Sequence, residues 1–272
     1  MAGHLVRAGL DVVVWNRTVE KSAPIREAGA KVAPSLADLA DRCDVIFVCV
    51  NRSEDVRECL REMIQHAAPG TLFVDHSTIS PMAAQSFATE LRAHGMQFVD
   101  APITGGSMGA QKGTLTVFCG GDEDAVAKAI ETMKPYSGRA ERVGPSGSGQ
   151  MMKLANQMAV GGALLALCES MAFCERAGLD LEQAMSMIGS GAGGSWAFQN
   201  YGPKLLNRDW RPGFSIKNQR KDFGYCREAA RSLGAKIPAT ELCDLLLSEL
   251  DHAGRGEETT AALFDGYLKG GE

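Results

Sequence analysis

The chain has 272 residues and a formal net charge of −5, enough length for one large domain or two modest ones. Its charges are interspersed and acidic in balance, which argues against nucleic acid or an anionic membrane surface as a partner, since both need accumulated Lys and Arg. With 45% apolar and 22% charged residues, the composition is that of a globular protein and excludes a disordered one. The eight cysteines form no C-x-x-C pair and sit mostly in apolar runs. Buried reduced thiols and a cytoplasmic, reducing compartment are expected. Five scattered histidines lack ligand spacing, so no metal site is expected. Neither a targeting segment nor a membrane span is expected; the longest strongly apolar helical stretch, Met158 to Cys168, is too short to cross a bilayer.

Up to about Val143, β-rich runs alternate with amphipathic stretches. The runs are Asp11–Trp15, Asp44–Val50, Thr71–Asp75, Gln97–Asp100 and Leu115–Cys119. Each is nearly all apolar, as strands buried on both faces of a parallel sheet must be. Helices are predicted at Ser53–Gln65, with Ser53 as a capped start, and at Pro81–His94, with Pro81 in the first turn. Such alternation implies βαβ units and a doubly wound sheet. After Gly149 the strand signal disappears. One long helix is predicted over Gln150–Ala177, ended by Gly178, then helices at Asp180–Ile188, Phe214–Leu233 and Pro238–Leu250, with Gly189–Gly194 as a loop. The expected architecture is an α/β, doubly wound Rossmann-type domain over residues 1–146. An all-α domain follows over 147–272, joined through the long helix.

Four segments carry chemistry. In dinucleotide-binding folds the residue after the second strand meets the adenosine ribose, where a carboxylate favours NAD and an arginine accommodates the 2′-phosphate of NADP. The run ending at Trp15 continues Asn16-Arg17-Thr18, with no carboxylate. Arg17 alone would be an ordinary surface residue; at this point of the fold it is read as a phosphate donor, with Thr18 adding a hydroxyl. Thr104-Gly105-Gly106 follows another strand. It is either a cradle of backbone N–H groups and a hydroxyl for a ligand oxygen, or a glycine-rich turn without a ligand. Lys153, Asn156 and Gln157 fall at i, i+3 and i+4 of the long helix and share one face. No other charge lies between Lys153 and Glu169, so this is not a solvated charged face. An ammonium there can donate a proton to a carbonyl oxygen, and partial burial would bring its pKa toward the useful range. Lys221-Asp222, taken by itself, reads as an ordinary surface pair.

Together these segments resemble the β-hydroxyacid dehydrogenase family, which includes 3-hydroxyisobutyrate dehydrogenase, tartronate semialdehyde reductase and glyoxylate/succinic semialdehyde reductase. The resemblance covers essentially the whole chain. Met1 through Thr18 resembles the first helix and second strand of NADP-using members, so Asn16, Arg17 and Thr18 are implied to bind cofactor, with NADP preferred and NAD possible. Asp75 through Pro81 resembles a loop in which a threonine, here Thr78, contacts the cofactor. Val50-Asn51 stands where many relatives have Leu-Pro, at another cofactor-facing loop. Asp100 through Gly106 resembles the substrate loop, with Thr104 where serine is commoner; with Gly105 and Gly106 it is implied to bind a substrate carboxylate. Gly147 through Gln157 resembles the catalytic signature. Lys153 thereby inherits the acid/base role, and Asn156 and Gln157 inherit substrate binding, Gln157 replacing a second asparagine. Lys221-Asp222 resembles a late pair that closes over the cofactor.

The activity implied is hydride transfer between NADP(H) and a short hydroxyacid or aldehyde acid, in a homodimer or homotetramer with a small carboxylate substrate as its partner. Alternatives are an imine reductase, against which Lys153 counts, and a non-catalytic dehydrogenase-like dimerisation module. Family members begin with a strand and a G-x-G-x-x-G turn that the present chain lacks before Met1. That strand normally lies between those matching Asp11–Trp15 and Asp44–Val50, so two inner sheet edges are expected to be unpaired; either the product extends upstream of Met1, which is the preferred expectation, or the form is short and binds cofactor poorly.

Overall fold

The computed structural model describes residues 1–268, and the chain divides at Lys153/Leu154 into two units. The first runs α1 (Ala2–Arg7), β1 (Val13–Val14), α2 (Ala23–Glu27), β2 (Lys31–Val32), α3 (Leu36–Arg42), β3 (Val45–Val48), α4 (Ser53–Met63), β4 (Leu72–Asp75) and α5 (Pro81–Ala93). It continues with β5 (Gln97–Asp100), β6 (Ile103–Thr104), α6 (Gly106–Lys112), β7 (Leu115–Gly120), α7 (Glu123–Met133), β8 (Ser137–Gly144) and the start of α8 (Ser148–Arg176).

Strands β3, β4 and β5 are parallel, aligned so that Val48, Asp75 and Asp100 stand side by side at their C-terminal ends. Strand β7 runs antiparallel to β5 and β6 and parallel to β8. Alternate residues of β4 serve opposite faces. Phe73 joins Ile46, Val48 and Phe98 in a core shared with Val56, Leu60 and Phe87 from the helices. Leu72 and Val74 join Val99, Val117 and Cys119 in a second core with Val126, Ala129 and Met133. Helices therefore cover both faces, as a doubly wound sheet requires.

β1 pairs only with β2, and the six-stranded sheet begins at β3. The two edges expected to lack a neighbour are thus separate in the structure. Half of β3 is only partly buried, with Val45 and Phe47 less covered than Ile46 and Val48, which departs from the expectation of burial on both faces. The polar strand β8 and the short β2 and β6 carry no apolar run, and the sequence reading passes over all three. Ser53 is the first helical residue of α4 and not its cap; Asp55 instead accepts the N–H of Arg52 ahead of it at 3.0 Å. Pro81 does open α5.

The second unit holds the rest of α8 and then α9 (Leu181–Ser190), α10 (Trp196–Asn200), α11 (Gly202–Leu206), α12 (Ile216–Leu233), α13 (Pro238–Leu250) and α14 (Leu263–Leu268). Leu164, Leu167, Cys168, Phe223, Cys226, Cys243 and Leu247 are among its fully covered residues. Helix α8 is 29 residues long, close to the helix predicted over Gln150–Ala177, starting two residues earlier and ending one residue earlier. By length and composition it would reach across a bilayer, but half of its most apolar 18-residue window is buried within the protein. All eight cysteines are free thiols, five of them buried.

Candidate active site

The C-terminal ends of parallel strands, where backbone N–H groups and helix starts converge, are where doubly wound sheets bind ligands. Here that edge is stitched by side chains. The Ser77 hydroxyl accepts the N–H of Val50 at 2.9 Å, joining the loop after β3 to the loop after β4. Asp75 accepts the N–H of Ser77 at 2.9 Å and so shapes the approach to Thr78. Of the predicted cofactor residues, the structure therefore brings the Val50-Asn51 loop and the Thr78 loop together.

Helix α8 starts against the same edge. Asp100 accepts the N–H of Gly147 at 2.7 Å on one oxygen and that of Gln150 at 2.9 Å on the other. A carboxylate in this position satisfies two of the donors that a helix start leaves without partners and offsets its positive end. Burial nevertheless pushes the Asp100 pKa up to about 7, opposed by the two N–H groups and reinforced by the neighbouring Asp75. Gly149 explains how close the helix comes. A Cβ there would lie 2.4 Å from the carbonyl oxygen of Phe118 and 2.5 Å from that of Asp100, so only glycine allows this backbone-on-backbone contact.

Lys153 follows one turn later and is buried, with 7% of its surface exposed. Asn156 is partly buried and Gln157 buried, while Met152 and Ala155 are exposed. The helix thus turns Lys153 and Gln157 inward together with Leu154, although a helix against a core ordinarily turns its polar residues to solvent. Thr104 ends β6, paired with Thr116 of β7, and is half-buried. Gly105 and Gly106 both have positive φ, 121° and 64°, a turn that residues with a Cβ rarely make.

At the end of β1 a cavity of about 160 Å³ is lined by Trp15, Asn16, Val19, Ser22, Val32, Ala33 and Pro34. Asn16 accepts the N–H of Thr18 at 2.9 Å, an Asx-turn that displays Arg17, which is exposed. Arg17 is the next residue in the chain after Asn16 of this lining.

In the second unit, Lys221 and Asp222 are not the surface pair they resemble in isolation. They form an ion pair at 3.0 Å, with side-chain exposures of only 11% and 2%. Asn156 donates to Gln157 at 3.1 Å, and Gln157 donates to Asp222 at 2.7 Å. Two residues expected in different roles, Gln157 for substrate and Asp222 for cofactor, are therefore bonded to each other. A separate cavity of about 250 Å³ lies among Met185, Ser186, Gly189, Phe198, Gln199, Pro203 and Leu206.

Sequence reasoning missed Asp100, Gln150 and Ser77 as the residues that assemble this edge. Their signal was a buried acid ending a strand and an amide one turn ahead of Lys153 in an apolar helix. It also missed His76 and Tyr136. His76 Nδ1 bonds the carbonyl of Ala101 at 2.6 Å, and its Nε2 bonds the Tyr136 hydroxyl at 2.8 Å. Phe47 stacks on the imidazole, with ring centroids 5.4 Å apart. Burial lowers the His76 pKa to about 4.

Residues 1–144 match the family described as the NAD-binding domain of 6-phosphogluconate dehydrogenase. Residues 147–267 match the NAD-binding domain of NADP-dependent 3-hydroxyisobutyrate dehydrogenase. An uncharacterized oxidoreductase of Synechocystis is 36% identical, across 98% of this chain and 93% of that protein. A probable mitochondrial 3-hydroxyisobutyrate dehydrogenase-like protein of Arabidopsis thaliana is also 36% identical, across 97% of this chain and 80% of its own length. The solved structure of Mycobacterium tuberculosis 3-hydroxyisobutyrate dehydrogenase with L-serine superposes with a TM-score of 0.89 at 28% identity, covering 99% of this chain and 94% of that one.

Proposed function

This chain belongs to the β-hydroxyacid dehydrogenase family, as a 3-hydroxyisobutyrate dehydrogenase-like, NAD(P)-dependent oxidoreductase, and from that premise we propose that it interconverts a short β-hydroxyacid and its aldehyde acid, using NADP(H), with Lys153 as the acid/base. The observation that carries the reading is the burial of Lys153 one turn beyond a helix start tied to the strand ends. A bound nicotinamide cofactor would supply the hydride for reduction and accept it on oxidation. Lys153 donates its proton to the carbonyl oxygen during reduction and takes one from the hydroxyl during oxidation. Thr104 and the backbone of Gly105 and Gly106 hold the substrate carboxylate. Asn156, one turn along from Lys153, orients the substrate oxygen. Asn16, Arg17 and Thr18 hold the adenosine end, with Arg17 selecting the 2′-phosphate. Val50, Asn51 and Thr78 line the nicotinamide side, and Lys221 with its partner Asp222 closes over the cofactor.

The test is NADPH consumption with glyoxylate, succinic semialdehyde and tartronate semialdehyde, and NADP⁺ reduction with 3-hydroxyisobutyrate. Each is repeated with the NAD cofactor. Turnover of at least one acid, faster with the phosphorylated cofactor, is expected. Lys153→Ala lowers kcat by about 10²-fold or more and leaves NADPH binding unchanged. Near wild-type turnover in that variant removes Lys153 from the role.

A further inference from the structure

Gln150 is wholly buried, and its side chain and its backbone N–H all bond to other elements. Its side-chain oxygen accepts the N–H of Ile79 at 3.0 Å, and its side-chain nitrogen donates to the carbonyl of Ser77 at 2.9 Å. Those two backbone groups flank Thr78. Its own N–H goes to Asp100, the last residue of β5. One residue thus grips the loop after β4 with its side chain and the end of β5 with its backbone, and Lys153 stands one helical turn further on. The chemistry demanded of the side chain is specific. The Ser77 carbonyl only accepts and the Ile79 amide only donates, so a primary amide matches both, and a carboxylate fails at Ser77.

Building on the assignment of Lys153 to proton transfer, we infer that Gln150 and Asp100 are positioning residues for that reaction. They lock the Thr78 loop, the start of the Thr104 loop and the Lys153 helix into one geometry. Asp100 fixes where the helix begins, and Gln150 fixes where Thr78 stands relative to Lys153. Neither residue needs to touch a reacting atom. A displacement of about 1 Å in such a constellation costs on the order of 100-fold in rate.

The experiment compares Gln150→Met and Gln150→Glu with the wild-type full-length chain in kcat, KM for NADPH, thermal midpoint and amide hydrogen exchange. Gln150→Met is expected to stay folded, to lose about 10- to 100-fold in kcat with a smaller change in KM, and to exchange the Ile79 N–H at least about tenfold faster. Gln150→Glu is expected to lose as much at pH 8 and to recover as the pH falls, because a protonated carboxyl can again donate to the Ser77 carbonyl. The ionisable groups on the surrounding elements are Asp75 and His76 at the end of β4, Asp100 on β5, Cys119 on β7 and Lys153 on the same helix. Wild type carries all of them and supplies the reference pH profile; Gln150→Met should follow its shape without the recovery. An unchanged Ile79 exchange rate, an unchanged kcat in Gln150→Met, or a Gln150→Glu profile parallel to wild type overturns the inference. If the wild-type chain turns over none of the acids, the proposed reaction falls. The Ile79 exchange measurement then still decides whether Gln150 clamps the loop.

Discussion

Gln157 and Asp222 are bonded to each other at 2.7 Å, an amide nitrogen donating to a carboxylate whose second oxygen faces Lys221. All three belong to one buried polar chain, and such chains are stable only while each member keeps its complement. Gln157→Glu would set two carboxylates together in a buried place, at a cost of about 3 kcal/mol. Gln157→Leu removes two hydrogen bonds, the one donated to Asp222 and the one accepted from Asn156, and leaves Asp222 its lysine, at about 1–2 kcal/mol. Urea denaturation of both variants reads the difference; equal losses would contradict the network.

Gly149 and Gly162 lie on the same helix and predict opposite outcomes. A methyl group at 149 meets two carbonyl oxygens at 2.5 Å or less, whereas one at 162 meets nothing within 4 Å. Gly149→Ala is expected to destabilise by about 2–3 kcal/mol through overpacking against backbone that cannot move aside. Gly162→Ala is expected to be neutral or to stabilise by up to about 1 kcal/mol, because alanine loses less conformational entropy in a helix. Thermal midpoints of the two variants provide the check.

His76 and Asp100 make stability depend on pH with opposite signs. The carbonyl of Ala101 only accepts, so His76 Nδ1 carries the proton, and Nε2 accepts from Tyr136. Held at about 4, below the ordinary histidine value, His76 contributes stability that is present above about pH 6.5 and lost as the pH falls toward 4. Asp100, raised to about 7, contributes stability that is present below about pH 4 and lost as the pH rises toward 7. Between about pH 4 and 6.5 the two slopes, each about 1.4 kcal/mol per pH unit, cancel. Asp100→Asn removes one of them, so its stability should climb with pH more steeply than that of wild type across this window. Parallel curves from denaturation at pH 4.5, 5.5 and 6.5 would exclude this pairing.

Tyr136→Phe leaves the imidazole acceptor of His76 without its donor in a buried site. A loss of about 1–2 kcal/mol is expected, measured as a shift of the denaturation midpoint with an unchanged slope. No shift would mean that the hydroxyl contributes nothing to holding His76.

For cofactor choice, Arg17→Ala is expected to raise KM for NADPH about 10- to 100-fold, the loss of one charge-assisted contact, and to leave NADH kinetics unchanged. Equal effects on both cofactors would deny Arg17 its selective role.

How far the sequence could be read follows from what produces each signal. Strands β3, β4, β5 and β7 were legible because burial in a sheet demands apolar runs, α8 because it ends just before Gly178, α12 because Ser215 and Gly234 bound it, and α13 because Pro238 opens it. The strand β8 was not, because its residues are largely exposed and leave no apolar trace. At the candidate site, Lys153 stood out as the one charge in the apolar stretch of α8 before Glu169. Gln150 and Asp100 did not, since an amide and a carboxylate acquire their meaning only from partners 71 and 50 residues away.

Local sequence therefore determined the main alternation of strands and helices, the motifs that carry the family resemblance, and the shared face of Lys153, Asn156 and Gln157 on α8, because each of these is written in neighbouring residues. Only the tertiary structure decided that Asp100 would begin that helix, that Gln150 would grip both sides of Thr78, and that Lys221 would be buried against Asp222. Those facts depend on which chain segments meet in space, and hydrogen bonds between distant residues leave no periodicity in the chain.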